Sequence, residues 1–323
     1  MTVFSGSRWL RLVLSPLLGL TILAHVAPPP AASAAPASEK IRVLTSFLPI
    51  YCFTANIAND LAEVENLLPA NVSPHDYQFA PRDLRKLTSA QLFVINGYGM
   101  EDWLAKAVKS VKGSKTALVI EAFADLPKER LITSVPYVQL PGEREQQPQG
   151  IPNPHLWLDP TLAAHAVTNI LAALKKADPK NATAYVANAN RFIERLRYLD
   201  RDLAAALAPT TGSRIVTYHN AFPYFADRYK LSLVGVIEEV PDISPSPKYL
   251  AALQKVIRDK NVKIIFTEPQ FSPKLAQRIS KDTGVPLAEL DTIETGPLKP
   301  TAYEEGLRRN LETLVYHLGK KRE

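Results

Sequence analysis

The stretch NATAYVANANRFIERLRYLDRDLAAAL, residues 181–207, decides how this chain of 323 residues is organised. Apolar residues recur along it at spacings of three and four, which predicts one helix with a single apolar stripe. The stripe consists of Tyr185, Ala189, Phe192, Leu196, Leu199, Leu203 and Leu207. At a rise of 1.5 Å per residue this helix would be ~40 Å long, which is more than a small lobe requires. We therefore predict that it joins two lobes.

Short apolar segments that resemble strands alternate with helical segments on both sides of this helix. Predicted strands at 41–47, 64–68, 92–95 and 115–120 precede it, and strands at 215–218, 231–237, 262–267 and 285–290 follow it. Such alternation is typical of parallel βαβ units. The predicted fold class is therefore α/β, with two similar lobes that have parallel sheets and are joined by one long linking helix. The predicted domains are an N-terminal lobe at 35–180, the linking helix at 181–208 and a C-terminal lobe at 209–323.

Residues 1–34 have the pattern of a cleavable secretory signal peptide. Arg8 and Arg11 precede an apolar run at 12–26, and the small residues ASA at 32–34 offer a cleavage site. The apolar run is shorter than the ~20 residues that a membrane span needs. We expect a protein that is exported and then works in the periplasm.

Composition and charge argue against several classes of protein. A hydrophobic content of 46% with 22% charged residues is ordinary for a globular protein. The net charge of +6 is scattered rather than clustered with aromatic residues, so we expect no nucleic-acid partner. Cys52 is the only cysteine, which excludes an intrachain disulfide, and its apolar neighbours indicate a buried thiol rather than a reactive or lipid-attached one.

Four side chains that can bind a metal lie just after predicted strands or on a stiff segment. Ligands of parallel α/β sheets usually bind beyond the carboxyl ends of the strands. His75, His219 and Asp291 follow strands, and His155 lies in NPHLWLDP, residues 153–160, where prolines stiffen the backbone. Three imidazoles and one carboxylate would suit a divalent transition metal such as Zn²⁺. These residues are ~65 to 80 positions apart, unlike a local motif, so a satisfied core histidine is the competing interpretation for each histidine alone.

Other polar residues near these positions have simpler interpretations. His165 and His317 lie inside predicted helices, where a packing or surface role is expected. Glu268 lies in a turn between prolines, EPQFSP, and is expected to support a ligand at most. Asp159 and Pro160 predict the cap and the first residue of a helix, so that His155 would lie on a strand-like stub that leads into it.

Six segments together resemble one known family. They are PHDYQFAPRDLRKL (74–87), LFVINGYGMEDWL (92–104), PHLWLDP (154–160), YHNAFPYFADRYKL (218–231), SPSPKYLAALQKVIRDKNVKIIFTEPQFSPKLAQRI (244–279) and TGVPLAELD (283–291). They are similar, in the same order, to segments of the periplasmic solute-binding proteins of ABC-type zinc and manganese importers, which have a TroA-like fold. The resemblance implies metal ligands at His75, His155, His219 and Asp291. It also implies a monomer whose partners are a membrane permease and its ATPase.

The chain departs from that family in two places. Many members have an aspartate where this chain has Asn153, a change that would alter the hydrogen bonds around a ligand. Some zinc-binding members also have a long loop rich in histidine and acidic residues. The corresponding segment, 131–154, is short here and contains no histidine.

The residue at position 219 favours zinc as the cargo. Manganese-preferring relatives tend to have a glutamate there, and Mn²⁺ favours oxygen whereas imidazole suits Zn²⁺. We therefore expect capture of Zn²⁺ rather than catalysis, with a manganese carrier as the alternative. A secreted zinc hydrolase is less favoured, because a fourth ligand leaves little room for an activated water and no HExxH, HxHxD or GxSxG motif is present. A binder of an organic solute, in which the histidines are incidental, is a third alternative.

Overall fold

The computed structural model describes residues 40–104, 117–133, 138, 150, 152–238 and 243–319. The predicted signal peptide and most of the 131–154 segment lie outside the described residues. From Lys40 onward the chain forms one compact unit. Within the described ranges, no helix combines the length and the apolar character that crossing a membrane would need.

Two parallel sheets of four strands each form the framework of the protein. The strands are β1 (Ile41–Thr45), β2 (Ala62–Asn66), β3 (Leu92–Ile95), β4 (Leu118–Glu121), β5 (Arg214–His219), β6 (Ser232–Glu238), β7 (Ile264–Thr267) and β8 (Leu287–Glu289). Their orders, β2-β1-β3-β4 and β6-β5-β7-β8, are the same in the two sheets. All strand pairs are parallel. Parallel sheets are covered on both faces, so the inner strands β3 and β7 are buried along their whole length.

Helices connect the strands and cover the sheets. The described helices are α1 (Leu48–Ala58), α2 (Pro81–Ser89), α3 (Pro160–Ala177), α4 (Ala182–Leu207), α5 (Pro223–Arg228), α6 (Pro247–Asp259), α7 (Lys274–Thr283) and α8 (Ala302–Leu318). Local sequence sets several of their ends. Proline begins α3 and α6, where its missing N–H costs no helical hydrogen bond. The Asp159 carboxylate caps α3 by accepting from the Thr161 N–H at 2.7 Å, as the sequence predicted.

The long helix α4 is the linking helix that the sequence predicted. Every residue of its apolar stripe has 0% exposed surface. The helix packs against α1 and α3, which precede it in the sequence, and against α8, which follows it. Together with the two sheets of equal strand order, this confirms the α/β class with two lobes and one linking helix, whereas the exact domain boundaries stay predictions.

Aromatic contacts make the core continuous between the first and second halves of the chain. The Trp157 ring lies edge-on to Phe47, with centroids 5.0 Å apart, and Phe53 meets Tyr303 in the same way at 4.9 Å. Phe53 belongs to α1 and Tyr303 to α8, so helices from both halves share this cluster. The Tyr303 hydroxyl also donates to the Trp157 carbonyl at 2.6 Å, so the segment that contains Trp157 lies at the junction of the two halves.

The strand-like stub predicted at His155 was wrong. His155 instead precedes a short 3-10 turn, Leu156–Leu158, in which the Leu158 N–H reaches the His155 carbonyl at 3.4 Å. The three apolar side chains of this turn are fully buried. The segment therefore packs into the core as a turn rather than as a strand. The turn passes directly into the capped start of α3.

Candidate metal centre

Three histidines and one glutamate converge at a single point of the structure. They are His75, His155, His219 and Glu294, and one ligand atom from each lies within 4.8 Å of the others. His155, His219 and Glu294 are almost completely buried, with side chains 4%, 1% and 0% exposed. His75 is 19% exposed and is the member of the group nearest to solvent.

The separations of the four ligand atoms fit a tetrahedral metal ion. The His155 Nε2 atom lies 3.1 Å from both His75 Nε2 and His219 Nε2. The Glu294 Oε1 atom lies 3.7, 3.5 and 3.6 Å from the Nε2 atoms of His75, His155 and His219. Bonds of ~2.0 to 2.1 Å from a central zinc ion would place tetrahedral ligand atoms about 3.3 Å apart. These five separations bracket this value, and the sixth, between His75 and His219, lies within 4.8 Å.

The four side chains reach this point from the carboxyl ends of strands or from loops near them. His219 is the last residue of β5, next to the position where the strand order of the second sheet reverses. His75 lies in the irregular segment between β2 and α2. Glu294 follows β8 after a turn in which Ile293 has a φ of 62°, which is unusual for a β-branched residue. The carboxyl-end rule for parallel sheets therefore holds for this site.

Asp291, which the sequence predicted as the fourth ligand, is not part of this group. Its Oδ1 atom accepts from the Ile293 N–H at 2.7 Å, and its Oδ2 atom accepts from Arg309 at 3.2 Å. Asn310 holds its backbone from both sides, at 2.8 and 2.7 Å. Asp291 thus attaches the end of β8 to helix α8 and shapes the turn that aims Glu294 at the histidines. The sequence offered one signal that could have pointed to Glu294, because it is the second acid of the segment DTIETG, residues 291–296.

Glu268 holds the ring of His219. Its Oε2 atom lies 2.5 Å from His219 Nδ1, and its Oε1 atom accepts from the His219 backbone N–H at 2.9 Å. Glu268 follows β7 directly, beside β5 in the sheet, and is fully buried. A carboxylate on Nδ1 keeps the proton on that nitrogen and leaves Nε2 facing the centre of the group. Glu268, which was expected to support a ligand at most, therefore holds both the ring and the backbone of His219.

Asn153 holds the ring of His155 in a comparable way. Its Oδ1 atom accepts from the His155 backbone N–H at 3.0 Å and lies 2.9 Å from His155 Nδ1. The preceding carbonyl of the segment is fixed as well, because Asn96 donates to the Pro154 carbonyl at 2.9 Å. Asn96 follows β3 as Glu268 follows β7, so residues at equivalent positions of the two sheets hold the neighbouring His155 segment and His219.

Glu294 carries a charge that the histidines stabilise. Its Oε2 atom accepts from the Ser73 hydroxyl at 3.1 Å, whereas its Oε1 atom is buried and has no hydrogen-bond partner among the described residues. Burial opposes ionisation, but the three histidine rings that face this carboxyl at 3.5 to 3.7 Å attract its negative charge and hold its pKa well below the usual range. An oxygen with this charge and burial is suited to a cation.

Burial and neighbouring carboxylates set different protonation states for the two buried histidines. Burial lowers the pKa of His155 to about 3, which keeps that ring neutral. Burial also disfavours charge on His219, but the carboxylates of Glu268 and Glu294 outweigh it and raise the pKa of His219 to about 10. A metal ion that binds at His219 Nε2 would replace the proton on that nitrogen.

His165, assigned to packing from the sequence, has that role in the structure. Its Nε2 atom lies 2.8 Å from the Ala124 carbonyl, and Asn169 contacts the same nitrogen at 3.2 Å. It therefore helps to attach α3 to the turn after β4 and lies outside the metal-binding group.

Comparisons with known proteins identify the family to which this chain belongs. The family described as zinc-uptake complex component A, periplasmic, matches residues 43–316. The zinc-binding protein AdcA of Streptococcus pyogenes serotype M3 is 32% identical in a match that covers 86% of this chain and 56% of AdcA, so the chain spans about half the length of that relative. The high-affinity zinc uptake system protein ZnuA of Bacillus subtilis is 31% identical, with 85% of this chain and 87% of ZnuA covered.

A solved structure extends the comparison to the fold. The solute-binding protein FpvC of Pseudomonas aeruginosa in complex with Mn²⁺ superposes with a TM-score of 0.77 at 31% identity. The match covers 87% of this chain and 99% of FpvC. Two parallel sheets, one long connecting helix and a buried group of histidines and a carboxylate define the class of metal-binding solute-binding proteins. Within that class, this chain belongs to the family of zinc-uptake complex component A.

Proposed function

We propose that the protein captures a divalent transition-metal ion, Zn²⁺ above all, outside the cytoplasm and delivers it to an ABC-type importer. The observation that carries this proposal is the buried Oε1 atom of Glu294, which faces three imidazole nitrogens at 3.5 to 3.7 Å. A buried charged oxygen is costly unless a cation or a donor meets it. A bound metal ion would satisfy all four ligand atoms at once.

Glu294 replaces Asp291 in the proposed set of ligands, which becomes His75, His155, His219 and Glu294. Three imidazoles and one carboxylate favour Zn²⁺ over Mn²⁺, which binds oxygen-rich sites. Four protein ligands fill a tetrahedral set and leave no open position for a water to be activated. These two points support a zinc carrier rather than a manganese carrier or a zinc hydrolase.

The delivery step rests on the family. The matching family is named as a component of a zinc-uptake complex, and the B. subtilis relative is named as part of a high-affinity uptake system. A membrane permease with its ATPase is the partner that such a component requires. We infer a monomer that binds one ion and presents it to that permease.

Elemental analysis of the reloaded protein tests the capture step. The purified protein is stripped with a chelator, reloaded from an equimolar mixture of zinc, manganese and iron salts, and desalted. We expect close to one zinc per chain, with little manganese or iron. The matched comparison is His155→Ala, which removes a proposed ligand, against His165→Ala, which removes a histidine outside the group.

Loss of zinc in His155→Ala with retention in His165→Ala would support the proposal. Equal zinc in both variants, or no stoichiometric metal in the unchanged protein, would contradict it. Delivery is tested separately by growth of a strain that lacks the chromosomal gene in medium depleted of zinc. The unchanged gene should restore growth, and the His155→Ala gene should not.

A further inference from the structure

Asn153 connects the supports of two proposed ligands. Its Oδ1 atom binds His155, as described above, and its Nδ2 atom donates to the Asn220 carbonyl at 2.7 Å. Asn220 directly follows His219, and the Ala221 N–H closes a turn onto the His219 carbonyl at 2.9 Å. One buried side chain of 2% exposure therefore joins the segment of His155 to the turn of His219.

The orientation of this amide follows from its backbone partners. The His155 backbone N–H can only donate, so the atom that meets it is the oxygen of Asn153. The Asn220 carbonyl can only accept, so the atom that meets it is the nitrogen. Because the oxygen also meets His155 Nδ1, that nitrogen carries the proton and Nε2 presents its lone pair to the centre of the group.

An aspartate at this position could perform only half of this role. A carboxylate would accept from His155 as the amide oxygen does, but its second oxygen would face the Asn220 carbonyl, which is also an acceptor. Two acceptors at 2.7 Å repel each other, and a buried carbonyl would lose its donor. The amide is therefore the group that can hold His155 and the His219 turn together.

Other bonds attach the same segment to the second half of the chain. The Tyr224 hydroxyl, from α5, donates to the Asn153 carbonyl at 3.0 Å. The Trp157 indole N–H donates to the Thr292 carbonyl at 2.7 Å, two residues before Glu294. The segment of His155 is thus bonded to the regions that supply His219 and Glu294, and Asn153 makes the contact closest to the ligand rings.

We propose that Asn153 is a positioning residue that locks His155 and His219 into one preformed pair and so slows release of the bound ion. This inference rests on the proposed function, because it assumes that the two histidines are ligands. Release requires at least one of these nitrogens to leave the ion, and a bond between their supports restrains both of them together.

The decisive variant is Asn153→Asp, with zinc transfer to an excess of a chromophoric chelator as the measurement. The proposal expects release to become at least about tenfold faster, within the range typical of outer-shell partners of a metal. If Asn153 only held the tautomer of His155, the carboxylate would do so equally well and make the imidazole a stronger donor, so release would be unchanged or slower. An unchanged or slower rate overturns the proposal.

Asn188→Asp is the matched control. Asn188 donates from Nδ2 to the Ile57 carbonyl at 2.9 Å, a bond of the same kind between α4 and α1 and away from the metal-binding group. The same substitution there removes a comparable bond, so it reports what general destabilisation does to zinc release. We expect its rate to stay within about twofold of the unchanged protein. An equal acceleration in both variants overturns the proposal.

Hydrogen exchange of the metal-free protein tests the lock without any metal. Peptides that cover residues 218–222 should exchange faster in Asn153→Asp than in the unchanged protein or in Asn188→Asp, and equal exchange overturns the proposal. This readout decides the inference even if the unchanged protein retains no zinc, an outcome that would defeat the proposed function. If Asn153→Asp does not fold, Asn153→Ala replaces it, since that variant also removes the bond to the Asn220 carbonyl. Faster exchange at 218–222 is again expected, and unchanged exchange overturns the lock.

Discussion

His219 and His75 meet at the same point of the molecule, but the structure holds them in different ways. His219 ends a buried strand, and Glu268 binds both its ring and its backbone N–H. His75 lies in an irregular segment, and its backbone N–H reaches the Ser73 hydroxyl at 3.3 Å. In its polar and aromatic contacts its ring meets the three other members of the group, His155, His219 and Glu294. The ring of His219 is therefore held by a carboxylate outside the group, whereas these partners of the His75 ring all belong to the group itself.

Because the two histidines are held differently, replacing them should have different effects on stability and on metal affinity. A ligand that is fixed by buried partners contributes to the stability of the metal-free protein as well as to metal affinity. A ligand that is partly exposed and loosely held contributes to affinity with little effect on stability. Substitutions on the two sides should therefore be distinguishable by measuring both quantities.

The largest effect is expected for His219→Ala. Without the charged ring, Glu268 and Glu294 would remain buried with no cation between them, and breaking a buried pair costs about 3 to 5 kcal/mol. Chemical denaturation of the metal-free variant should show a loss of that size, and zinc retention should fail as well. A metal-free stability equal to that of the unchanged protein would contradict the account of this side of the site.

His75→Ala should affect the metal but hardly the fold. Apparent zinc-binding free energies of roughly 10 to 16 kcal/mol, divided among four ligands, give about 3 kcal/mol for each, which is on the order of 100-fold in affinity. We expect a loss of that size in chelator competition. The same denaturation experiment should show a change below about 1 kcal/mol in the metal-free protein, and a larger loss would mean that His75 is fixed as firmly as His219.

Glu268→Gln tests the carboxylate that supports His219. The amide keeps an acceptor for the ring but removes the charge that makes the imidazole a stronger ligand, so zinc affinity should fall by about 10- to 100-fold. The exposed Glu312 offers a control with the same chemical change, Glu312→Gln, which should leave affinity unaltered. Equal zinc affinities in the two variants would contradict the claim that the charge of Glu268 strengthens zinc binding.

Counted for one pH unit, the dependence of affinity on pH gives the smallest of the expected effects. The pKa of His219 is raised from its ordinary value of 6.5 to about 10, so the ring is protonated at neutral pH. The stability that this protonation contributes to the metal-free fold is complete below pH 6.5 and is lost as the pH rises through about 10. Zinc must displace that proton, so affinity should rise about tenfold per pH unit between pH 7 and 9. His155, with its pKa lowered to about 3, should release no proton in this window.

Calorimetry in two buffers of different ionisation enthalpy counts the protons released on zinc binding. At pH 8 the account expects one proton per zinc, with His219 as its source. A binding enthalpy that does not depend on the buffer would contradict the protonation state assigned to His219.

The sequence predicted the features that depend on periodicity or on the ends of strands. The stripe of α4 repeats at helical spacing, and His219 follows a strand directly, so both could be predicted without knowing any contact. Glu294, the proposed fourth ligand, could not be found in this way. The direction of the chain after β8 depends on Arg309 and Asn310, which reach Asp291 from helix α8, and on the left-handed backbone of Ile293. Contacts between residues distant in sequence therefore decided which acid faces the histidines.

The same reason explains why the role of Asn153 could not be predicted in full. The sequence showed only that this residue differs from the aspartate of many relatives and lies close to His155. Its bond to the Asn220 carbonyl depends on how the two halves of the chain meet. That arrangement is a property of the shared core rather than of any local pattern.

Glu294→Gln and Asp291→Asn together decide which acid of this segment binds the metal ion. Both variants replace one carboxylate by an amide of the same size, and the two residues are three positions apart. Zinc affinity is measured for each by competition with a chelator of known affinity. We predict that zinc affinity falls by about 100-fold or more in Glu294→Gln and changes by less than about threefold in Asp291→Asn. A large loss in Asp291→Asn with little change in Glu294→Gln would contradict the assignment of Glu294 as the fourth ligand.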